Sequence, residues 1–185
     1  GAAVESLVLE SAQSVVLHAF PCVGIQHPDR LLSELLNELF NGLSSRLFEA
    51  VREEKGLAYY VGSSQIIGYQ DALFFFYAGT EPKQSAAVLA EINTEISRVI
   101  QSGPTLEEFN RCRTRLKAAR AMGLQTIGAR AMYAALQTVY GLPLESEAEY
   151  TTRLDAVQLT DLISFARQQF RASWATRLIV GPKAS

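Results

Sequence analysis

The sequence predicts an α+β fold, a two-layer sandwich in which one mostly antiparallel sheet is covered by a layer of helices. Short runs rich in strand-forming residues predict strands near 14–20, 57–67, 72–79 and 175–181. Amphipathic stretches with helical spacing lie between them. The order is a strand, helices, a hairpin, several helices and a strand, so helices and strands are segregated rather than alternating.

Each predicted strand is bounded by turn residues. The first strand is expected to end at Pro21, because proline cannot donate a ladder hydrogen bond. Residues 68–71 form the predicted turn of an antiparallel hairpin between the second and third strands. The third strand is apolar almost throughout, which indicates a strand that is central in the sheet or covered on both faces. Pro182 follows the last strand.

Helices are predicted from their start and stop signals. Pro28 stands where the first turn of a helix would begin, and Asn41-Gly42 would end that helix. Thr105 and Glu108 have the spacing of a capping box. The later helices are predicted over about 44–54, 80–102, 105–122, 127–140, 145–154 and 160–170.

Length and charge limit the function classes. A chain of 185 residues fits a single domain, 1–185, which would bury roughly 70% of its unfolded surface. A net charge of -2 argues against a nucleic-acid partner. No apolar run approaches the ~20 residues of a membrane helix, and no signal peptide is visible, so a soluble protein is expected with its compartment unassigned. The chain begins at Gly1 rather than Met, and we expect an excised fragment or a processed chain.

The sequence predicts no metal site and no cofactor in this chain. Cys22 and Cys112 are too few for a disulfide framework or a cysteine-based zinc site, and we expect two small buried hydrophobes. His18 and His27 are nine residues apart, and no Glu shares a helical face with both. His18 lies inside the first strand, where a satisfied core or edge histidine is expected.

No local group stands out as a nucleophile or a general acid. A Ser-His-Asp triad or a Cys-His pair stays open, since its members need not be close in sequence, but no G-x-S-x-G elbow or cysteine signature marks one. The carboxylate pairs Glu53-Glu54 and Glu107-Glu108 are explained by solvated helix faces.

Arg52 and Tyr59 remain as candidate site residues. Arg52 lies near the end of a predicted helix and Tyr59 near the start of a predicted strand, with a glycine stop at Gly56 between them. A fixed cation and a phenol would therefore face one region. These two groups can hold a peptide carbonyl. The ordinary explanation is structural. An arginine near a helix C-terminus interacts favourably with the helix dipole, and a tyrosine early in a strand packs its ring while its hydroxyl stays exposed to water.

The residues around this pair resemble the pitrilysin/insulinase family of zinc metallopeptidases. Residues 44–48 read SSRLF and residues 51–59 read VREEKGLAY, which is a fairly specific pattern. Weaker matches in the same order are TLEEF at 105–109, DAVQLT at 155–160 and IVGP at 179–182. The chain is similar to the second domain of a family half, the domain that lacks the metal motif.

The resemblance implies a substrate-binding role for this domain. In the family, related α+β domains enclose a chamber, one domain holds zinc on an inverted H-x-x-E-H helix, and another supplies an Arg and a Tyr that are separated by six residues. Arg52 and Tyr59 match that spacing and would be auxiliary catalytic residues that position the substrate backbone. The resemblance implies a peptide substrate, with zinc in a partner domain or subunit of the same family, and an isolated chain that is inactive while its parent is a zinc metalloendopeptidase.

Two departures from the family keep alternatives open. The H-x-x-E-H helix is missing, and the glycine-rich run before SSRLF is thinned to residues 41–43. The domain could therefore belong to a scaffold that has lost proteolysis, as in the core subunits of respiratory complexes, or be a self-contained enzyme of another type. An isolated domain could also pair with itself through surfaces meant for its neighbours. Strand alternation is expected to turn Tyr60 to the face opposite Tyr59.

Overall fold

The computed structural model describes residues 3–182, in which five strands form one sheet. The strands are β1 (Ala3–Val8), β2 (Ser14–Val23), β3 (Ala58–Ile67), β4 (Asp71–Thr80) and β5 (Thr176–Gly181). Their spatial order is β1-β5-β2-β4-β3. Only β1 and β5 run parallel; every other neighbouring pair is antiparallel. The predicted sheet and its β3–β4 hairpin are confirmed.

The helices connect these strands and lie against one face of the sheet, which confirms the two-layer sandwich. They are α1 (Arg30–Leu39), α2 (Arg46–Phe48) continuing as a π-helix (Glu49–Glu54), α3 (Ser85–Ser102), α4 (Leu106–Gly123), α5 (Ile127–Val139), α6 (Glu147–Ala156) and α7 (Leu159–Gln169), with short 3₁₀ turns at Pro82–Gln84 and Ala172–Trp174. Among the residues described, no helix is both long and apolar enough to cross a membrane.

Three element boundaries differ from the predictions. β2 continues through Pro21 to Val23, because its pairing with β5 ends at Ala19 and the missing N–H of Pro21 therefore breaks no ladder on that side. α1 begins at Arg30, so Pro28 precedes the helix rather than opening it. The parallel edge strand β1 was not predicted, since its short sequence gains strand structure only from pairing with β5.

The core is an aromatic cluster centred on Phe76 of β4. Its ring contacts those of Phe20 in β2, Phe40 after α1 and Phe170 after α7, with centroids 4.9–6.5 Å apart and tilts of 48–85°. Offset and edge-to-face ring pairs of this kind contribute beyond their buried area. The cluster therefore joins the central strands to both flanking helices.

The opposite face of the sheet is much less buried. Alternate residues of β2 and β4, such as Leu17 and Tyr77, pair across this face and are only half-buried. At its margins Leu73 and Ile66 are 37% and 63% exposed. The helical layer thus covers one side of the sheet only.

His18 lies in the core without a hydrogen-bond partner. Its side chain is 1% exposed and stacks on Phe20 with ring centroids 4.7 Å apart. Neither ring nitrogen has a partner within residues 3–182, so the expectation of a buried histidine holds but the expectation of a satisfied one is wrong. Burial, reinforced by the nearby Arg177 cation, lowers the pKa of His18 to about 4.

Replacing His18 should make stability less dependent on pH. The unfolded imidazole binds a proton below about pH 6.5, whereas the folded one does so only near pH 4, so stability falls as the pH drops through this window. The loss is on the order of 3 kcal/mol. We expect His18→Phe, which retains the ring stack, and His18→Leu to lack this loss when urea unfolding is compared at pH 7 and pH 4. An equal loss in the unmutated chain and both variants would refute the assignment.

Glu108 ties the start of α4 to two other elements. Its carboxylate accepts from the Thr105 backbone N–H at 2.6 Å and from Nε of Arg46 at 2.7 Å, and Nη2 of Arg98 lies 3.7 Å away. Burial by itself would raise the pKa of Glu108, but these donors outweigh it and hold the pKa below its usual value. The capping box is confirmed, while the expectation that Glu108 lies on a solvated face is wrong; Glu107, whose side chain is 89% exposed, does lie there.

Glu108→Ala should therefore destabilise the chain much more than Glu107→Ala. Loss of the cap and of the charge-assisted bond from Arg46 should lower the free energy of unfolding by about 2–3 kcal/mol. The exposed Glu107→Ala control should change it by less than about 0.5 kcal/mol. Chemical denaturation of the three proteins measures both values, and similar losses in the two variants would contradict the role given to Glu108.

Candidate functional site

The candidate site is built around the turn between α2 and β3. Ser45 caps α2 by accepting from the Phe48 backbone N–H at 3.2 Å. Gly56 ends the following π-helix with φ of 57°, a left-handed conformation that glycine adopts without a Cβ penalty. The Leu57 N–H donates to the Val51 carbonyl at 2.8 Å and closes the turn. The predicted order of helix, glycine stop and strand is confirmed.

Arg52 lies in the π-helical part of this segment, Glu49–Glu54. Its side chain is exposed, and its Cζ atom lies over the Phe48 ring, 5.2 Å from the centroid. Within residues 3–182 the guanidinium makes neither an ion pair nor a hydrogen bond. π-helical turns recur at functional sites because they shift side chains out of the regular helical register. The Phe48 ring restrains the Arg52 side chain while leaving its N–H donors accessible.

Tyr59 lies in a β-bulge at the start of β3. Ala58 pairs with Thr80 and Tyr60 pairs with the next residue of β4, Gly79, so Tyr59 is an extra residue on its strand. The bulge interrupts the regular alternation of side chains, on which the expectation that Tyr59 and Tyr60 point to opposite faces depends. Both tyrosines are exposed, Tyr59 by 50% and Tyr60 by 42%.

The two tyrosines nevertheless differ in their contacts. The Tyr60 ring lies directly over Gly79, where an added Cβ would meet it at 2.2 Å, and it is 6.2 Å from the Tyr77 ring. Tyr59 has no aromatic partner within the described residues. The pKa of the Lys83 amine is raised, mainly by its hydrogen bond to Glu81 and by the charge of Glu81, and least by Tyr59. Tyr59 is thus the less constrained phenol of the two.

Arg52 and Tyr59 thus lie on the two sides of one turn, both accessible and not bonded to one another. Together they offer hydrogen-bond donors, one of them permanently charged, to an external acceptor. They do not line the cavity of about 600 Å³ between α1, α4 and α5, whose walls include Arg120 and Tyr133. The site is therefore an open surface rather than a closed pocket.

Two further kinds of reactive group are metal ligands and cysteine thiols. Within the described residues no group of three His, Cys, Asp or Glu side chains could hold a metal ion, so these residues do not fit a zinc site. Cys112 is buried, and burial raises its pKa to about 12, which removes the nucleophilic thiolate. Cys22 is only half-buried, with Sγ 3.0 Å from Oγ of Ser33.

Asn41, which sequence reasoning treated only as a helix stop, lies beside the site strand. Its side-chain Oδ1 accepts from the Ser63 backbone N–H at 3.0 Å, and its Nδ2 donates to the Ser63 carbonyl at 2.8 Å. The Ser63 hydroxyl in turn donates to the Asn37 carbonyl at 3.1 Å. Only the pairing of α1 with β3 in space reveals this contact; an Asn-Gly after a helix carries no such signal.

Comparison with known proteins gives a family model and several relatives that are described as zinc proteases. The family model described as peptidase M16 inactive domain matches residues 3–116. An uncharacterized zinc protease of Streptomyces coelicolor is 36% identical over 128 residues, covering 68% of this chain and 28% of that protein. An uncharacterized zinc protease of Rickettsia bellii is 30% identical over 152 residues, covering 81% and 36%. The chain thus spans about a third of the length of these relatives.

Solved structures share the fold along the whole chain. A peptidase M16 inactive domain from Pseudomonas fluorescens superposes with a TM-score of 0.89 at 18% identity, covering 100% of this chain and 44% of that one. A protease from Helicobacter pylori gives 0.85 at 21% identity, covering 97% and 45%. The resemblance inferred from SSRLF and VREEKGLAY is confirmed by these matches. The chain belongs to the peptidase M16 family, as a domain of the type that the family model describes as inactive.

Proposed function

We propose that this chain is the substrate-positioning domain of a zinc metalloendopeptidase, in which Arg52 and Tyr59 bind the peptide backbone at a zinc site on another domain or chain. The observation that supports it most is the local geometry of the pair. Arg52 in a π-helical turn and Tyr59 in a β-bulge are both exposed and unpaired within the described residues, on either side of one turn. Such irregularities are enriched beside active sites.

The two side chains would act by donation to a carbonyl oxygen. The Arg52 guanidinium and the Tyr59 hydroxyl would each donate a hydrogen bond to the substrate carbonyl beside the bond that is cut. These bonds strengthen as negative charge develops on that oxygen, which lowers the barrier rather than merely tightening substrate binding.

The zinc and the general base would come from the partner. The residues of this chain offer no metal-binding cluster within the described part, and the relatives that bear the zinc protease description are more than twice as long. A partner domain or subunit of the same family would supply both groups. The longer protein, rather than this chain alone, would then cleave peptides.

Arg52→Ala and Tyr59→Phe should each slow peptide cleavage when this domain is combined with its zinc-bearing partner. By analogy with the loss of one oxyanion-hole donor, each substitution should cost on the order of 2–4 kcal/mol of transition-state stabilisation. The measurement is kcat/KM on an unstructured fluorogenic peptide. The loss should lie mainly in kcat, because the bond is strongest in the transition state.

Tyr60→Phe is the matched control for Tyr59→Phe, since it removes the same hydroxyl from the adjacent residue of β3. It should leave kcat/KM within about twofold. Turnover that is unchanged in both Arg52→Ala and Tyr59→Phe would refute the assigned roles. A partner without measurable peptidase activity would favour the alternative, a scaffold or assembly domain of a peptidase-like protein that has lost proteolysis.

Phe48→Leu should also slow peptide cleavage, but indirectly, through the position of the Arg52 side chain. Leucine retains an apolar side chain in the nearly buried Phe48 position but removes the ring beneath the Arg52 guanidinium. An exposed cation–π contact is worth about 0.5–1 kcal/mol, so kcat should fall by about two- to fivefold. The effect should vanish in an Arg52→Ala background; an equal effect in both backgrounds would show that Phe48 acts through packing instead.

A further inference from the structure

A cavity of about 600 Å³ lies in the helical layer, between α1, α4, α5 and α6. Its volume is in the range of pockets that hold small molecules. The walls are mostly apolar, and the apolar lining residues are Ile25, Leu116, Ala119, Leu136, Leu142 and Pro143. Arg52 and Tyr59 do not line the cavity, so what it binds does not depend on the proposed function.

The cavity exists because α5 is attached to its neighbours by hydrogen bonds rather than by a packed face. α5 has no buried residue along its length. Gln26, in the loop after β2, donates from Nε2 to the Tyr140 carbonyl at 2.7 Å, just after α5 ends. Arg120 of α4 donates from Nη2 to the Tyr133 hydroxyl of α5 at 3.0 Å and to the Glu145 carbonyl at 2.9 Å. These bonds hold α5 in place and leave space between it and α4.

Three side chains in the lining have hydrogen-bond donors without a partner. The Tyr150 hydroxyl makes no hydrogen bond within residues 3–182, although Tyr150 is only 6% exposed. Arg30 donates from Nε to Glu34 at 2.9 Å, and its Nη1 is unpaired within the same residues. Nε of Arg120 is unpaired there too, since the Glu147 carboxylate is 3.6 Å away, beyond hydrogen-bonding distance. Folded proteins rarely leave buried donors unpaired, so the three together favour an external acceptor.

The unpaired donors lie around the same part of the cavity. Cζ of Arg120 is 4.4 Å from the centroid of the Tyr150 ring. Burial, followed by the charge of Glu34, raises the pKa of Tyr150 to about 12, so its hydroxyl is protonated at neutral pH and can donate. Because Glu34 is also the partner of Arg30, that arginine is close to the same hydroxyl.

The charged residues of the lining leave one positive charge in excess. Three arginines face two glutamates, with His27 counted as neutral, and these residues are Arg30, Arg120, Arg153, Glu34 and Glu145. Glu34 is paired with Arg30, and Glu145 accepts from Arg153 at 2.9 and 3.0 Å. Glu147 lies outside the lining and its side chain is 52% exposed, so solvent screens its charge. A single monoanion would therefore neutralise the cavity.

We propose that this cavity binds a small apolar monocarboxylate, whose carboxylate contacts Tyr150, Arg30 and Arg120 and whose apolar part packs between α4 and α5. A carboxylate offers acceptor oxygens to all three donors, and its hydrogen bonds to arginine are charge-assisted. A phosphate monoester would bring up to two negative charges near the glutamates of the lining, whereas a neutral amide would leave the excess positive charge unpaired. Leu116 and Leu136 supply apolar contacts.

Hydrocinnamate, a phenyl ring joined to a carboxylate by two methylene groups, is the probe for this site. It is titrated at pH 7 into the ¹³C-methyl-labelled chain, and a ligand of this size should bind with a dissociation constant of about 1 mM. The largest shift changes should occur at Leu116 and Leu136. Hydrocinnamamide, which has the same shape without the charge, should bind about tenfold more weakly. Acetate, which lacks the apolar part, should cause no shift changes at these residues at the same concentrations.

Tyr150→Phe removes the unpaired hydroxyl and should weaken hydrocinnamate binding about fivefold. Tyr133→Phe is the matched control, because the Tyr133 hydroxyl belongs to the same lining but already accepts from Arg120. It should leave the dissociation constant within about twofold of the unmutated value. An unchanged affinity in a folded Tyr150→Phe chain, or an equal loss in both variants, would contradict the role of Tyr150.

Filling the cavity provides a second test that leaves the donors in place. Ala119→Trp on α4 places a large side chain in the lining and should abolish hydrocinnamate binding. Ala118→Trp is its control, since Ala118 is equally exposed but does not line the cavity, and it should bind like the unmutated chain. The thermal midpoint of each variant identifies unfolding. Undiminished binding by Ala119→Trp, equal affinity for the acid and its amide, or no binding of hydrocinnamate would overturn the proposal.

Discussion

The contact of Phe76 with the rings of Phe20, Phe40 and Phe170 fixes how the helical layer sits on the sheet. It joins β2, β4 and the ends of α1 and α7 in one cluster, and edge-to-face packing is sensitive to small displacements. The end of α1 is thereby held at a fixed height over the sheet. The segment that follows α1 in the chain therefore starts from a fixed position.

The candidate site is a consequence of this anchoring. Phe40 lies in the cluster and its neighbour Asn41 reaches the edge strand, so the core and the outer edge of β3 are one residue apart. The chain then returns through α2 and its π-helical turn to enter β3. A surface pair of side chains on a turn is thus supported by buried rings rather than by loop residues, which suits a role that depends on precise orientation.

Sequence reasoning recovered what local patterns determine. The glycine stop at Gly56, the capping box at Thr105 and the apolar strand β4 each follow from a few neighbouring residues, and the structure has them where they were predicted. The π-helical turn and the bulge at Tyr59 were missed, because each depends on how a helix and a strand must join within a fixed sheet. The strand β1 and the Asn41 contact were missed because their partners are distant in sequence. Arg52 and Tyr59 themselves came from the surrounding motif, and their role stays a prediction.

The position of β5 constrains the order in which the fold can be completed. This strand lies between β1 and β2, and within residues 3–182 β1 has no other strand neighbour. About 170 residues must be synthesised after β1 before β5 is complete. Until then β1 lacks its strand partner, and the edge of β2 that pairs with β5 stays open. Closure of so long a loop is slow, because the chain loses conformational entropy before the hydrogen bonds between β1 and β5 stabilise the closed loop. Because β5 follows every other strand of the described chain, its pairing with β1 and β2 cannot form on the ribosome before the other strands have been synthesised.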